Sequence, residues 1–158
     1  MQIIEFTASA FFQIGILFIF LIIVVLFMLT QHKTLKAIQP KNRKMKPGGV
    51  WLQFIPIYGL IWQFSVVKRI ADSIRKEMAS RQDDSILGFS DAVAAEAFNQ
   101  RPTFQIGIAY CIFFTICFVL ARLLPLIQIW FFIPGMICWI IYWVQLAKWK
   151  RKLVRMDI

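Results

Sequence analysis

The sequence predicts an all-α integral membrane protein with three transmembrane helices and one proline-broken membrane segment that is either re-entrant or a fourth span. Of its 158 residues, 59% are hydrophobic and 16% aromatic, whereas about half of a soluble domain is apolar. Uncharged stretches cover residues 6–31, 102–121 and 123–147, and about 20 apolar residues cross a hydrocarbon core about 30 Å thick. We therefore expect one membrane domain, 1–158, with spans at residues 7–30, 103–124 and 126–147.

The first apolar stretch is predicted to be a permanent anchor and not a cleavable signal. A secretory signal has a basic start followed by an apolar run of about 7–15 residues. Here Glu5 lies near the start, the uncharged run covers residues 6–31, and basic residues follow from Lys33. These features are typical of a helix that stays in the membrane.

A fourth apolar stretch, residues 48–67, is interrupted near its middle by Pro56 and Gly59. Proline removes a backbone donor and glycine has low helix propensity, so both predict a break in the membrane segment. Beyond it, Ile70, Ile74 and Met78 recur on one face among charged residues, which predicts an amphipathic helix to about residue 81. A polar segment with a short helix, residues 82–101, and a basic tail, residues 148–158, are the remaining parts.

The distribution of Lys and Arg distinguishes re-entry from spanning, because short cytoplasmic loops collect basic residues. If residues 48–67 span, the basic loop after the first helix and the basic tail lie on opposite sides of the membrane, and one of them violates this rule. If the segment re-enters, both are cytoplasmic. The charge pattern favours re-entry, whereas an internal repeat favours a fourth span.

That repeat begins with the string FQIGI, which occurs at residues 12–16 and again at 104–108. The string FIP follows each copy, at residues 54–56 and 132–134, and both halves then end in basic residues. This order indicates a duplicated helical hairpin. The alternative is chance similarity, because apolar helices rich in Ile and Phe match easily and the two periods are unequal.

The polar and small residues of the repeated string are candidate helix-contact residues. They are Gln13, Gly15, Gln105 and Gly107. In lipid, glutamine seeks a hydrogen-bonding partner on a neighbouring helix, and glycine lets two backbones approach closely, at about 1 kcal/mol for each such contact. The alternative is that both glutamines lie at the membrane interface and contact headgroups.

A basic loop follows the first helix and is the candidate headgroup-binding segment. Its cations are Lys41, Arg43, Lys44 and Lys46, between Pro40 and Pro47. Each cation near an anionic leaflet contributes about 1 kcal/mol of attraction, and this attraction depends on the number of charges more than on their identity. The net charge of +10 therefore predicts contact with anionic phospholipids and not with nucleic acid, because nucleic acid binding needs a folded platform.

The sequence predicts no catalytic, cofactor-binding or metal site, and so no enzyme. His32 is the single histidine, which rules out a bis-histidine haem within this chain. No phosphate-binding loop, dinucleotide fingerprint or zinc-protease motif is present. The spans carry no acidic residue, which argues against an ion-coupled transporter because such proteins usually place one at depth.

The segments KPGGVWLQFIPIYGLIWQFSVVKRIADSI and CWIIYWVQLAKWKRKL resemble a family of small bacterial polytopic membrane proteins. That family shares a P-G-x-V-W, I-P, W-Q-F and R-I-A-D-S series and a C-W-I-I-Y-W helix. The resemblance implies a location in the bacterial cytoplasmic membrane and no particular reaction. It also implies a role in the fold for Pro56, Trp62, Arg69, Asp72, Trp139 and Trp143.

Two functions are compatible with these features. The first is a non-enzymatic accessory or scaffolding subunit of a larger cytoplasmic-membrane complex, which contacts helices of other integral membrane proteins and anionic lipid. The second is a small channel or carrier whose pathway is lined by the broken Pro56 segment.

Overall fold

The computed structural model describes residues 2–83, 101, 103–123 and 128–155, which form five helices and no strand. These are α1 (Gln2–Ala37), a 3₁₀ helix (Pro47–Phe54), α2 (Tyr58–Asp83), α3 (Phe104–Leu123) and α4 (Gln128–Arg155). The all-α prediction is therefore confirmed. The short helix predicted within residues 82–101 lies outside the described residues.

Three helices are long and apolar enough to cross a membrane, as predicted. Their apolar parts are Phe11–Ala37, Phe104–Ala121 and Trp130–Arg155. Residues 48–67 form no such helix, because the 3₁₀ helix ends at Phe54 and α2 begins at Tyr58. The predicted basic tail is helical as far as Arg155, since α4 continues into it.

Helices α1 and α4 pack side by side and run in the same direction. The buried seam of α4 consists of Gly135, Trp139, Tyr142, Leu146 and Leu153, at steps of four, three, four and seven residues, a spacing typical of closely packed helices. Phe27 on α1 lies 5.1 Å from the Trp139 ring, between centroids. One turn further along both helices, Trp143 Nε1 donates to Thr30 Oγ1 at 3.0 Å.

Helices α2 and α3 pack in opposite directions. Just before α3, Arg101 forms an ion pair with Asp72 of α2. Further along, Gln63 Nε2 lies 3.5 Å from Thr115 Oγ1. Helix α3 also packs against α4, where the centroids of the Tyr110 and Tyr142 rings are 5.2 Å apart. Because α1 and α4 run in the same direction, the basic loop after α1 and the end of α4 lie at the same end of the bundle.

The chain reverses direction between the 3₁₀ helix and α2. Ile57 has a φ of 64°, a left-handed conformation that is rare for a β-branched residue, and the Tyr58 amide donates to the Pro56 carbonyl at 2.6 Å. Trp62 Nε1 then donates to the Gly49 carbonyl at 2.7 Å. The 3₁₀ helix and the first turns of α2 therefore lie antiparallel, side by side.

The predicted hairpin duplication is not confirmed. The first FIP string ends at the Pro56 turn, whereas the second lies within the uninterrupted helix α4, with Pro134 inside it. Pro134 is the seventh residue of α4, where a proline removes one backbone hydrogen bond but does not end this helix. The same three residues therefore lie at a turn in one half and within a helix in the other.

Candidate functional site

Of the four residues predicted at helix contacts, Gly107 lies in an interface inside the bundle. A Cβ at this position would overlap Val67 of α2 and approach Tyr142 Cε2 of α4 within 2.9 Å. Gln13 and Gln105 are exposed, and a Cβ on Gly15 would meet nothing within 4 Å. The identical strings therefore have different surroundings, and contact of Gln13, Gly15 and Gln105 with helices of other proteins stays a prediction.

The basic loop is folded onto the end of α1 and the side of α2. Arg43 donates from Nε to the Ile38 carbonyl at 2.7 Å and from a terminal nitrogen to the Lys36 carbonyl at 2.9 Å. It therefore satisfies backbone carbonyls at the end of α1, which have no partner within the helix. A planar fork that bridges two carbonyls is not replaced by lysine. Arg43 thus has a structural role, while Lys41, Lys44 and Lys46 are exposed.

Glu77 is the buried residue that holds this loop. Its side chain is fully buried, and Oε2 accepts hydrogen bonds from Asn42 Nδ2 at 2.7 Å and from the Gln39 amide at 3.2 Å. Oε1 pairs with Arg81 Nε at 2.8 Å. Sequence reasoning identifies only the Glu77–Arg81 spacing of four residues, because nothing local indicates that a carboxylate on an amphipathic helix is covered by a loop.

Ser73 fixes the same loop one turn earlier on α2. Its Oγ accepts the Lys44 amide at 2.8 Å and donates to the Arg69 carbonyl at 2.6 Å, and Lys76 Nζ donates to the Lys41 carbonyl at 2.7 Å. The lysine side chains are consequently presented from a fixed backbone and not from a flexible linker.

An open cleft of about 490 Å³ lies between this loop and α2. It is lined by Lys44, Ser65, Lys68, Arg69 and Asp72. The Asp72 carboxylate is 3.2 Å from Arg101 Nε, so its charge is compensated from outside the cleft. Three cations and a hydroxyl thus converge on one polar space, a composition suited to a phosphate group. Of these cations, the sequence pattern identifies only Lys44 as a headgroup ligand.

The Pro56 break borders a separate cavity of about 300 Å³ inside the bundle, which both Pro56 and Gly59 line. Gly59 has no room for a side chain because its Cβ would overlap the Gln53 carbonyl. Gln53 Nε2 in turn donates to Gln31 Oε1 at 2.7 Å. This glutamine pair ties the 3₁₀ helix to α1, and sequence reasoning missed it because Gln31 lies at the end of an apolar run.

Most positions singled out by the family resemblance make specific contacts. The Trp62 ring lies beneath the Arg69 guanidinium at 5.1 Å, and Trp62 also bonds to the 3₁₀ helix. Trp139 and Trp143 have ring centroids 5.4 Å apart, and both rings contact Phe27 of α1. These residues join the 3₁₀ helix, α1, α2 and α4.

Comparison with known proteins gives no match: no family model, no curated protein and no solved structure is similar to this chain. The resemblance noted from the motifs therefore stays a prediction.

Proposed function

We propose that this protein is a non-enzymatic accessory or scaffolding subunit of a larger complex in the bacterial cytoplasmic membrane. The observation that supports this role is the exposure of α1 at residues 11–22, every one of which is exposed. Phe27 pairs with Trp139 and Thr30 with Trp143, so α4 begins at about the level of Ile16. The N-terminal part of α1 extends past that level, where it offers Gln13 and Gly15 to a helix of another protein.

Purification in mild detergent tests this role. We expect the full chain to co-purify with another integral membrane protein at a fixed ratio. The substitutions Gln13→Leu and Gly15→Leu should weaken that complex without lowering the melting temperature of the isolated chain, because neither residue packs inside the bundle. A matched control is Ile140→Leu, at an exposed position on α4. Recovery of the chain without a partner protein, or equal losses with all three variants, would contradict the proposal.

Anionic phospholipid is the second proposed partner, and the cleft is its proposed binding place. Lys44, Lys68 and Arg69 are exposed. The Arg69 guanidinium lies 5.1 Å from the centroid of the Trp62 ring, and tryptophan is typical of interfacial aromatic belts. A phosphodiester headgroup in the cleft would meet three cations at once. The charges of the loop then act together with those of α2, and not alone.

Replacing Lys44, Lys68 and Arg69 together with glutamine should remove most of the tightly retained anionic phospholipid. Each cation contributes about 1 kcal/mol of attraction, so the combined loss is about 3 kcal/mol. Native mass spectrometry of the purified chain with added phosphatidylglycerol measures the retained lipid. The matched control replaces Lys148, Arg151 and Arg155, which are exposed at the end of α4. Equal losses in the two triple variants would show that only the number of charges matters.

We propose that residues 48–67 re-enter the membrane from the cytoplasmic side. The arrangement that supports this places the basic loop and the end of α4 at one end of the bundle. Helix α2 begins beside the middle of α3, where Gln63 meets Thr115, and α2 runs from there toward that basic end. The positive-inside rule then assigns this end to the cytoplasm.

Cysteine accessibility tests the orientation in a background without Cys111, Cys117 and Cys138. We expect Lys41→Cys and Arg151→Cys to be protected from an impermeant thiol reagent in intact cells and to react in inverted vesicles. Leu123→Cys, 69% exposed at the opposite end, should react in intact cells. Reaction of only one of the first two positions in intact cells would place them on opposite sides and contradict re-entry.

The second candidate function, a small channel or carrier, is favoured by one observation: the cavity inside the bundle is lined by Pro56. Its test is reconstitution of the purified chain. A homo-oligomer that conducts a solute across vesicles would support transport, whereas a hetero-complex without flux would support the accessory role.

A further inference from the structure

The cavity beside the Pro56 turn is lined by residues of α1, the 3₁₀ helix, the first turns of α2, α3 and α4. It has a volume of about 300 Å³, which is the lower limit of typical ligand pockets. Its walls are mostly aromatic and apolar, and include Phe20, Phe27, Phe114, Phe118, Met136 and Trp139. The exposed residues Ile55 and Ile57 form one side, so the cavity is open toward the surrounding lipid.

Three polar side chains line this otherwise apolar space: Gln53, Gln63 and Tyr110. The amide nitrogen of Gln53 is used, since it donates to Gln31 Oε1 and to the Val50 carbonyl. Among the described residues, Gln63 Nε2 has one contact, a long one of 3.5 Å to Thr115 Oγ1, and that hydroxyl already donates to the Cys111 carbonyl. Gln63 therefore has hydrogen-bonding capacity left for a ligand.

Tyr110 contributes its ring to the cavity wall and not its hydroxyl. The residue is 3% exposed, and its hydroxyl oxygen is buried away from the space that a ligand could enter. The ring packs against Phe27, Phe114 and Tyr142. Gln63 is therefore the polar side chain that could bind the head of a ligand.

The cavity also selects against charge. None of its lining residues is charged, and burial of an unpaired ion away from water is very unfavourable. The cations Lys44, Lys68 and Arg69 line the separate basic cleft and not this cavity. A phospholipid headgroup therefore fits the basic cleft, and an uncharged group fits the cavity.

We propose that this cavity binds a neutral amphiphile, a molecule with an apolar chain and an uncharged hydroxyl or carbonyl head. The head forms a hydrogen bond with Gln63. The chain lies against Phe27, Phe114 and Trp139 and leaves through the open side near Ile57. This site does not depend on the accessory role proposed above, because it is formed within one chain.

Photolabelling of the full chain in phosphatidylcholine nanodiscs tests this site. The probe is a medium-chain fatty alcohol that carries a diazirine. We expect it to label residues 20–28 and 53–63, and we expect unlabelled alcohol to compete at least about tenfold better than an alkyl sulfate or an alkyltrimethylammonium of equal chain length. Equal competition by the charged amphiphiles would overturn the proposal and leave a groove filled by bulk lipid only.

Two variants and a control separate the cavity from the general lipid surface. Leu60→Trp places a large ring in the cavity wall and should reduce labelling about tenfold, whereas Ile61→Trp, at a neighbouring position that is 71% exposed, should not. Gln63→Leu keeps the shape and should remove the preference for the alcohol over the charged competitors. Unchanged labelling in Leu60→Trp would overturn the proposal, and so would an unchanged preference in Gln63→Leu. The Gln63→Leu result decides the matter by itself if the tryptophan variant fails to fold.

Discussion

Replacing Gly107 with leucine is expected to destabilise the bundle strongly, whereas Gly15→Leu should have almost no effect. A side chain at Gly107 would overlap Val67 and press on the Tyr142 ring, and both neighbours are fully buried. Overpacking of a tight interface costs about 1–3 kcal/mol and sometimes more. Because Gly107 lies between α2 and α4, the clash would separate two helices at once and not merely displace one side chain.

Thermal unfolding of the purified chain in detergent, followed by tryptophan fluorescence, measures this difference. Gly15 is the matched control, since it occupies the same place in the first copy of FQIGI as Gly107 does in the second, and a Cβ there would meet nothing within 4 Å. Leucine also has the higher helix propensity, by about 0.8–1 kcal/mol, so Gly15→Leu should leave the melting temperature unchanged or slightly raised. Equal melting temperatures of the two variants would show that the close packing around Gly107 is absent.

Replacing Glu77 with alanine is expected to release the basic loop and lower the free energy of unfolding. The carboxylate is fully buried and accepts from Asn42, the Gln39 amide and Arg81. Removing it leaves the Asn42 amide buried at 3% exposure without its acceptor, and each such orphaned group costs about 1–3 kcal/mol, more where charge is involved. The loop should then become susceptible to trypsin at Lys41 and Lys44.

Asp72→Ala is the control for this experiment. The Asp72 side chain is 25% exposed and its partner Arg101 is 39% exposed, and ion pairs exposed to this degree contribute about 0–1 kcal/mol. We expect Glu77→Ala to lower the melting temperature and to increase cleavage of the loop, while Asp72→Ala leaves both nearly unchanged. If Glu77→Ala behaves like Asp72→Ala in both measurements, Glu77 does not hold the loop.

The basic loop shows what the sequence alone could not distinguish at the candidate sites. Arg43 and Lys44 were predicted together as lipid ligands, but Arg43 binds the end of α1 while Lys44 lines the cleft. Lys68 and Arg69 complete that cleft, although they lie more than 20 positions further along the chain. Within the sequence, a cation that caps a helix and a cation that faces a headgroup look alike.

The sequence by itself determined the membrane character, the three long apolar helices and the position of the break at Pro56. Each of these depends on local composition: uncharged runs favour lipid over water, and proline with glycine disfavours a continuous helix wherever the chain folds. Local features of this kind are read correctly because their physical cause lies within a few residues of the feature itself.

Only the tertiary structure decided which copy of FQIGI packs, that Glu77 is buried, and that Gln63 and Tyr110 line one cavity. In each case the decisive neighbour lies on another helix: Val67 for Gly107, and Asn42 for Glu77. Whether a glycine is crowded or a carboxylate is covered depends on how the helices are placed relative to one another. That placement is a property of the whole packed bundle, since side-chain contacts are short-range and most of their partners are distant in sequence.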